Sequence, residues 1–101
     1  MAQKLMTAAI QKQLPALYAT EEIDLEDKQL ICKFFTPWTY WTWYAIEYDP
    51  QEKLFFGYVQ GLEHEWGYFS LDELESIQGP AGLRIERDIH FKPIKFIEVT
   101  S

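Results

Sequence analysis

At 101 residues, with 48% hydrophobic and 17% aromatic side chains, the chain can fill the core of one domain, 1–101, and is too short for two. Five glycines and five prolines exclude collagen-like and proline-rich disordered chains, and the single Cys32 excludes an intramolecular disulfide or a zinc site built on several thiolates. The net charge of −7 is concentrated in two blocks, five acids and no base in 21–27 and eight acids against Lys53 in 47–75. That balance argues against binding a phosphate backbone, which needs Lys and Arg to displace counterions.

The first predicted element is a short helix. Thr7 can cap it, Met6, Ile10, Leu14 and Leu17 recur at helical spacing, and Pro15 should stop it near Leu14. A polar loop follows over Tyr18–Glu22. Leu30, Cys32 and Phe34 then alternate with Ile31, Lys33 and Phe35 as a strand, which Thr36-Pro37 breaks. The next strand, Trp41–Tyr48, should place Trp41, Trp43 and Ala45 on one face and Thr42, Tyr44, Ile46 and Tyr48 on the other. Asp49-Pro50-Gln51-Glu52 reads as a turn, and Lys53–Gln60 returns to complete a β-hairpin.

Gly61–Glu65 reads as a loop or bulge before a short strand, Trp66–Phe69. Ser70 and Glu73 form a capping-box pattern for a second helix near 71–78, with Leu71, Leu74 and Ile77 as its buried stripe and Gly79-Pro80 at its end. A last extended segment through Leu83, Ile85, Ile89 and Phe91 carries Pro93, which suits a sheet edge. The order predicts an α+β domain: an antiparallel sheet of about four to five strands with one helix before it and one near its end.

No group of residues points to catalysis. Cys32 lies mid-strand, where packing raises a thiol pKa, and neither a GxSxG elbow nor an SxxK motif is present. His64 sits between Glu63 and Glu65, and Asp88 near His90, but neighbours on a strand point to opposite sides and a dedicated metal site needs three or four ligands. Glu63 and Glu65 beside Trp66 resemble a glycosidase pair in type only, in a chain too short to wall a deep cleft. Glu86-Arg87-Asp88 reads as structural ion pairs holding the loop after Gly82. The expectation is a non-enzyme with no catalytic residue, metal or cofactor.

Aromatic density is the unusual feature. Trp38, Tyr40, Trp41, Trp43, Tyr44 and Tyr48 fall in one stretch, with no Lys or Arg between Thr36 and Glu52. Since a strand alternates its faces, either both faces are covered or some rings are exposed to serve as interface anchors. Base stacking by an aromatic hairpin is the alternative function, although direct nucleic-acid binding is not expected without interleaved cations.

The strings Leu14-Pro15-Ala16-Leu17-Tyr18-Ala19-Thr20-Glu21, Lys33-Phe34-Phe35-Thr36-Pro37, Trp41-Thr42-Trp43-Tyr44, Gly67-Tyr68-Phe69-Ser70-Leu71 and Gly79-Pro80-Ala81-Gly82-Leu83-Arg84-Ile85-Glu86-Arg87-Asp88 resemble the bacterial domain-of-unknown-function family numbered 2958. Arg84 departs from the pattern, where Pro is expected. The resemblance implies short proteins of plasmids and conjugative elements, sometimes near or fused to antirestriction-type modules, and brings no established activity or catalytic residues. The resulting expectation is a cytoplasmic, acidic interaction module of a mobile genetic element, with an inhibitor of the antirestriction or anti-CRISPR type as its specific form, docking on a basic protein surface. It has no visible signal peptide and no membrane partner, and an edge strand allows a homodimer. Trp38, Tyr40, Glu63, Glu65 and Trp66 are the expected partner-binding residues.

Overall fold

The structure, a computed structural model, describes residues 4–100. In chain order the elements are α1 (Ala8–Gln13), β1 (Gln29–Leu30), β2 (Cys32–Phe35), β3 (Thr42–Asp49), β4 (Leu54–Gln60), β5 (His64–Ser70), α2 (Leu71–Ser76), β6 (Glu86–Arg87), β7 (Ile94–Lys95) and α3 (Phe96–Thr100). Five strands form one antiparallel sheet in the order β5-β4-β3-β2-β6, and β1 pairs with β7 in a separate two-stranded ribbon. The fold is α+β, as expected.

Local chemistry accounts for the helices. The Thr7 hydroxyl accepts from the Ile10 amide at 3.2 Å and starts α1, which stops where Leu14 turns extended before Pro15. The Ser70 hydroxyl accepts from the Glu73 amide at 3.2 Å and starts α2 directly at the end of β5. Asp49 Oδ1 accepts from the Gln51 amide at 3.0 Å and shapes the hairpin turn.

Both faces of the sheet are covered. On one, Cys32, Phe34, Trp43, Ala45, Tyr48, Phe55 and Phe69 pack beneath Leu5, Met6 and Leu14 and beneath Leu71, Leu74 and Ile85. On the other, Leu30, Tyr44, Ile46 and Tyr58 meet Trp66, Phe91, Phe96 and Val99. The aromatic run is thus divided between two cores: Trp43, Tyr44 and Tyr48 are buried, Trp38 and Trp41 half-buried, and Tyr40 exposed. Two glycines make room for the half-buried indoles. A Cβ on Gly61 would lie 2.3 Å from the Trp41 ring, and one on Gly79 2.5 Å from the Trp38 ring.

Four expectations need correction. The first strand is split at Ile31, whose amide donates to Ala45 O at 2.8 Å, so Gln29–Leu30 leaves the main sheet for the ribbon with β7. The strand expected over Trp66–Phe69 begins two residues earlier, at His64. A β-bulge between Ala45 and Glu47 shifts the register against Gly57 and Phe56, which moves Tyr48 to the face opposite the one expected. The final segment is not one extended run but β6, β7 and the helix α3, held by the Phe96 amide donating to Lys28 O at 2.9 Å.

Phe55 is fully buried, with the rings of Tyr48, Phe69 and Phe34 at 4.5, 5.0 and 5.4 Å. Phe55→Ala should therefore cost about 3–5 kcal/mol in urea unfolding, against under about 0.5 for Tyr40→Ala at its exposed position. Similar costs for the two would show that the first face is not the main core.

Candidate functional site

The bulge in β3 decides where Glu47 goes. Strict alternation would send this side chain into the first apolar core. With the extra residue taken up at Ile46, Glu47 instead lies opposite Phe56 and beneath the loop between α1 and β1. It is 4% exposed. A carboxylate so buried must be supplied with donors, and the loop supplies three: the Tyr18 amide at 2.8 Å, the Thr20 amide at 3.0 Å and the Thr20 hydroxyl. Lys28, 5% exposed, donates from Nζ to the Thr20 carbonyl and, at 2.8 Å, to the Thr20 hydroxyl. One threonine thus couples a buried acid to a buried base.

This network holds the backbone in an unusual shape. Tyr18 has φ +70°, in the left-handed region that side chains with a Cβ avoid at a cost of about 1–2 kcal/mol. Its amide is bound by Glu47, and the Tyr48 amide donates to Pro15 O at 2.9 Å nearby. The strained turn leaves the Tyr18 ring 60% exposed, facing Tyr68, which is 52% exposed. Tyr18, Glu21, Lys28, Glu47, Phe56 and Tyr68 line a pocket of about 260 Å³. The Tyr68 phenol has its pKa raised, first by a hydrogen bond with Tyr18, then by burial and by the neighbouring Tyr18, Glu47 and Glu21.

Beyond the pocket the loop is acidic and open. Every residue from Glu21 to Asp27 is exposed, including Ile23 and Leu25 at 45% and 48%. The carboxylates of Asp24, Glu26 and Asp27 converge within 4.8 Å of one another. Lys95 lies 3.7 Å from Asp27 and pins the end of the loop to β7.

The residues expected from sequence to bind a partner do not form one surface. Trp38 and Tyr40 in the β2–β3 connection and Glu63 in the β4–β5 turn share one end of the sheet, since Thr42, Gln60 and His64 align in register there. Glu65 and Trp66 are consecutive on β5, so they point to opposite faces. Trp66 packs 4.6 Å from Phe96 and 5.3 Å from Tyr58, while Trp38 rests against Gly79. Tyr40 does line an open groove of about 490 Å³ with Lys33, Trp41, Arg87, Asp88 and His90. The charges of that groove hold chain segments together: Arg87 donates to the carbonyls of Lys4 and Leu5 at 2.6 and 2.8 Å, and Lys33 pairs with Asp88 at 4.0 Å. Arg87 thereby ties down the N-terminal segment. The Glu47 site went unread in the sequence, where its one signal is a lone carboxylate inside the apolar run Tyr44–Tyr48.

A family model described as a protein of unknown function, DUF2958, matches residues 5–99. The chain belongs to that family. No curated protein and no solved structure matches it. Within this family member, the Glu47 network and the loop it holds are the features that geometry singles out.

Two outcomes follow from this geometry. Glu47→Gln puts an amide NH2 against donors already in place and should cost about 3 kcal/mol or more in urea unfolding; a cost below about 1 kcal/mol would mean the network does not hold the loop. Burial pushes the Cys32 thiol from 9.0 up to about 12, against a smaller opposing pull from Arg87. The thiol is neutral in the folded chain but ionises earlier when unfolded, so Cys32 favours folding below about pH 9 and progressively loses that contribution up to about pH 12. Iodoacetamide at pH 8.5 should label it only at the rate of unfolding, and rapid labelling of the folded protein would contradict this.

Proposed function

We propose that this DUF2958 protein is a non-catalytic, cytoplasmic interaction module of a mobile genetic element, which docks on the basic surface of another protein. The observation that carries the reading is the exposed run 21–27, five carboxylates around Ile23 and Leu25, set beside the exposed rings of Tyr18 and Tyr68. Acids in such density steer a cationic partner and set its orientation, and the apolar and aromatic groups among them supply contact area. Nucleases and DNA-modifying enzymes present basic surfaces to their own substrate, so an acidic module of the antirestriction or anti-CRISPR type would compete there with DNA. The docking face lies on the loop beside Glu47, not on Trp38, Tyr40, Glu63, Glu65 and Trp66, because those five residues are divided between an end and two faces of the sheet. Base stacking on the aromatic hairpin has less support, since Trp43, Tyr44 and Tyr48 are inside.

The test is capture from bacterial lysate on immobilised protein, wild type against the Glu22→Lys/Glu26→Lys variant. Both positions are exposed, so folding should be unaffected. A specific partner should be held by the wild type at low salt, fall about tenfold or more by 0.5 M salt, and be absent from the variant. A partner retained equally by both proteins at every salt concentration would overturn the proposal.

A further inference from the structure

The pocket beneath Tyr18 has a composition that a general docking face does not require. Three of its lining residues are aromatic, Tyr18, Phe56 and Tyr68, and the other three are ionisable, Glu21, Glu47 and Lys28. The rings of Phe56 and Tyr68 stand 5.2 Å apart at 58°, two walls of a corner, and Tyr18 lines the same pocket as a third. Two carboxylates against one ammonium leave the lining one negative charge in excess. Lys28 does not fill the space with its charge, because its Nζ is engaged by the carbonyl and hydroxyl of Thr20. Glu47 and Glu21 both favour the protonated form of the Tyr68 phenol.

Aromatic faces at an angle, in a negative potential, attract a cation through the ring quadrupole. A guanidinium suits the setting better than an ammonium, being planar, weakly hydrated and able to stack on a ring while donating to a carboxylate. The volume of about 260 Å³ admits such a group with part of its alkyl stem. Glu21, exposed at the rim, supplies a carboxylate that an entering side chain can reach.

We infer that this pocket is a receptor for the guanidinium of one arginine side chain presented by the basic partner. The inference rests on the docking reading and names the residue type that anchors it. The excess negative charge is cancelled on entry, and the guanidinium lies in the corner that Phe56 and Tyr68 form, on a ring face, with Tyr18 beside it. The surrounding acids steer the partner, while the pocket fixes register by accepting one side chain.

The experiment uses N-acetyl-arginine methylamide as the probe, titrated into the intact protein and followed by NMR at the ring protons of Tyr18, Phe56 and Tyr68. The citrulline counterpart, equal in shape and uncharged, is the control. Saturable shifts confined to these rings are expected with the arginine probe, and none with citrulline. Tyr68→Leu should weaken binding about fivefold, whereas Tyr68→Phe, which keeps the ring, should retain it. No shift with arginine, equal shifts with citrulline, or equal binding by Tyr68→Leu would overturn the assignment. Failure here is distinguishable from failure of docking. A partner captured equally by wild type and Tyr68→Leu, yet lost from Glu22→Lys/Glu26→Lys, leaves the docking face standing and removes the pocket from it.

Discussion

A carboxylate removed from water takes several kcal/mol of solvation with it, and whatever replaces that solvation becomes fixed in place. Glu47 is such a group, and its replacement donors come from a single loop, through the amides of Tyr18 and Thr20 and the Thr20 hydroxyl. The loop carries little apolar packing of its own, since Glu21 through Asp27 are all exposed. Its inner half is set by Glu47 and Lys28, and its outer end by the Phe96 amide donating to Lys28 O, with the exposed Lys95–Asp27 ion pair beside it. The placement of the acidic residues and of the strained Tyr18 backbone follows from these attachments. So does the shape of the pocket.

The other unusual feature, the aromatic run, has a separate cause. A five-stranded sheet with both faces covered needs large side chains on both sides of its central strands. Tyr44 and Tyr58 serve the face beneath the C-terminal segment, while Trp43, Tyr48 and Phe55 serve the face beneath α1 and α2. The rings are thus mostly spent on stability in a domain of only 101 residues. The exposed tyrosines of the candidate docking face come from outside that run, one from the loop and one from β5.

The parts legible in the sequence were those set by local chemistry. The caps of Thr7 and Ser70, the Asp49 turn and the stripe of Leu71 and Leu74 act within a few residues, and each appears in the structure where its spacing placed it. The bulge at Ile46 is settled by how β3 registers against β4, a contact the period of β3 does not contain. Alternation therefore put Tyr48 on the wrong face and left Glu47 unremarked. The helix α3 is five residues long, too short for a helical period to emerge, and its half-buried Phe96 and Val99 reach the cluster of Tyr44 and Tyr58 beside the pairing of β1 with β7. The candidate site depends on both of these non-local features. Sequence spacing pointed instead to the nearest visible acids and indoles, Glu63, Glu65 and Trp66, of which the strand period puts Glu65 and Trp66 on opposite faces.

Native-state hydrogen exchange at the Tyr18 and Thr20 amides measures the hold of Glu47 directly. If the buried carboxylate fixes the loop, both amides exchange at least about a hundredfold more slowly than in an unstructured peptide and approach the amides of β3 in protection. Exchange of both at the rate of a free loop, with β3 still protected, would show that the acidic segment is not held by the sheet and that the proposed docking face has no fixed shape.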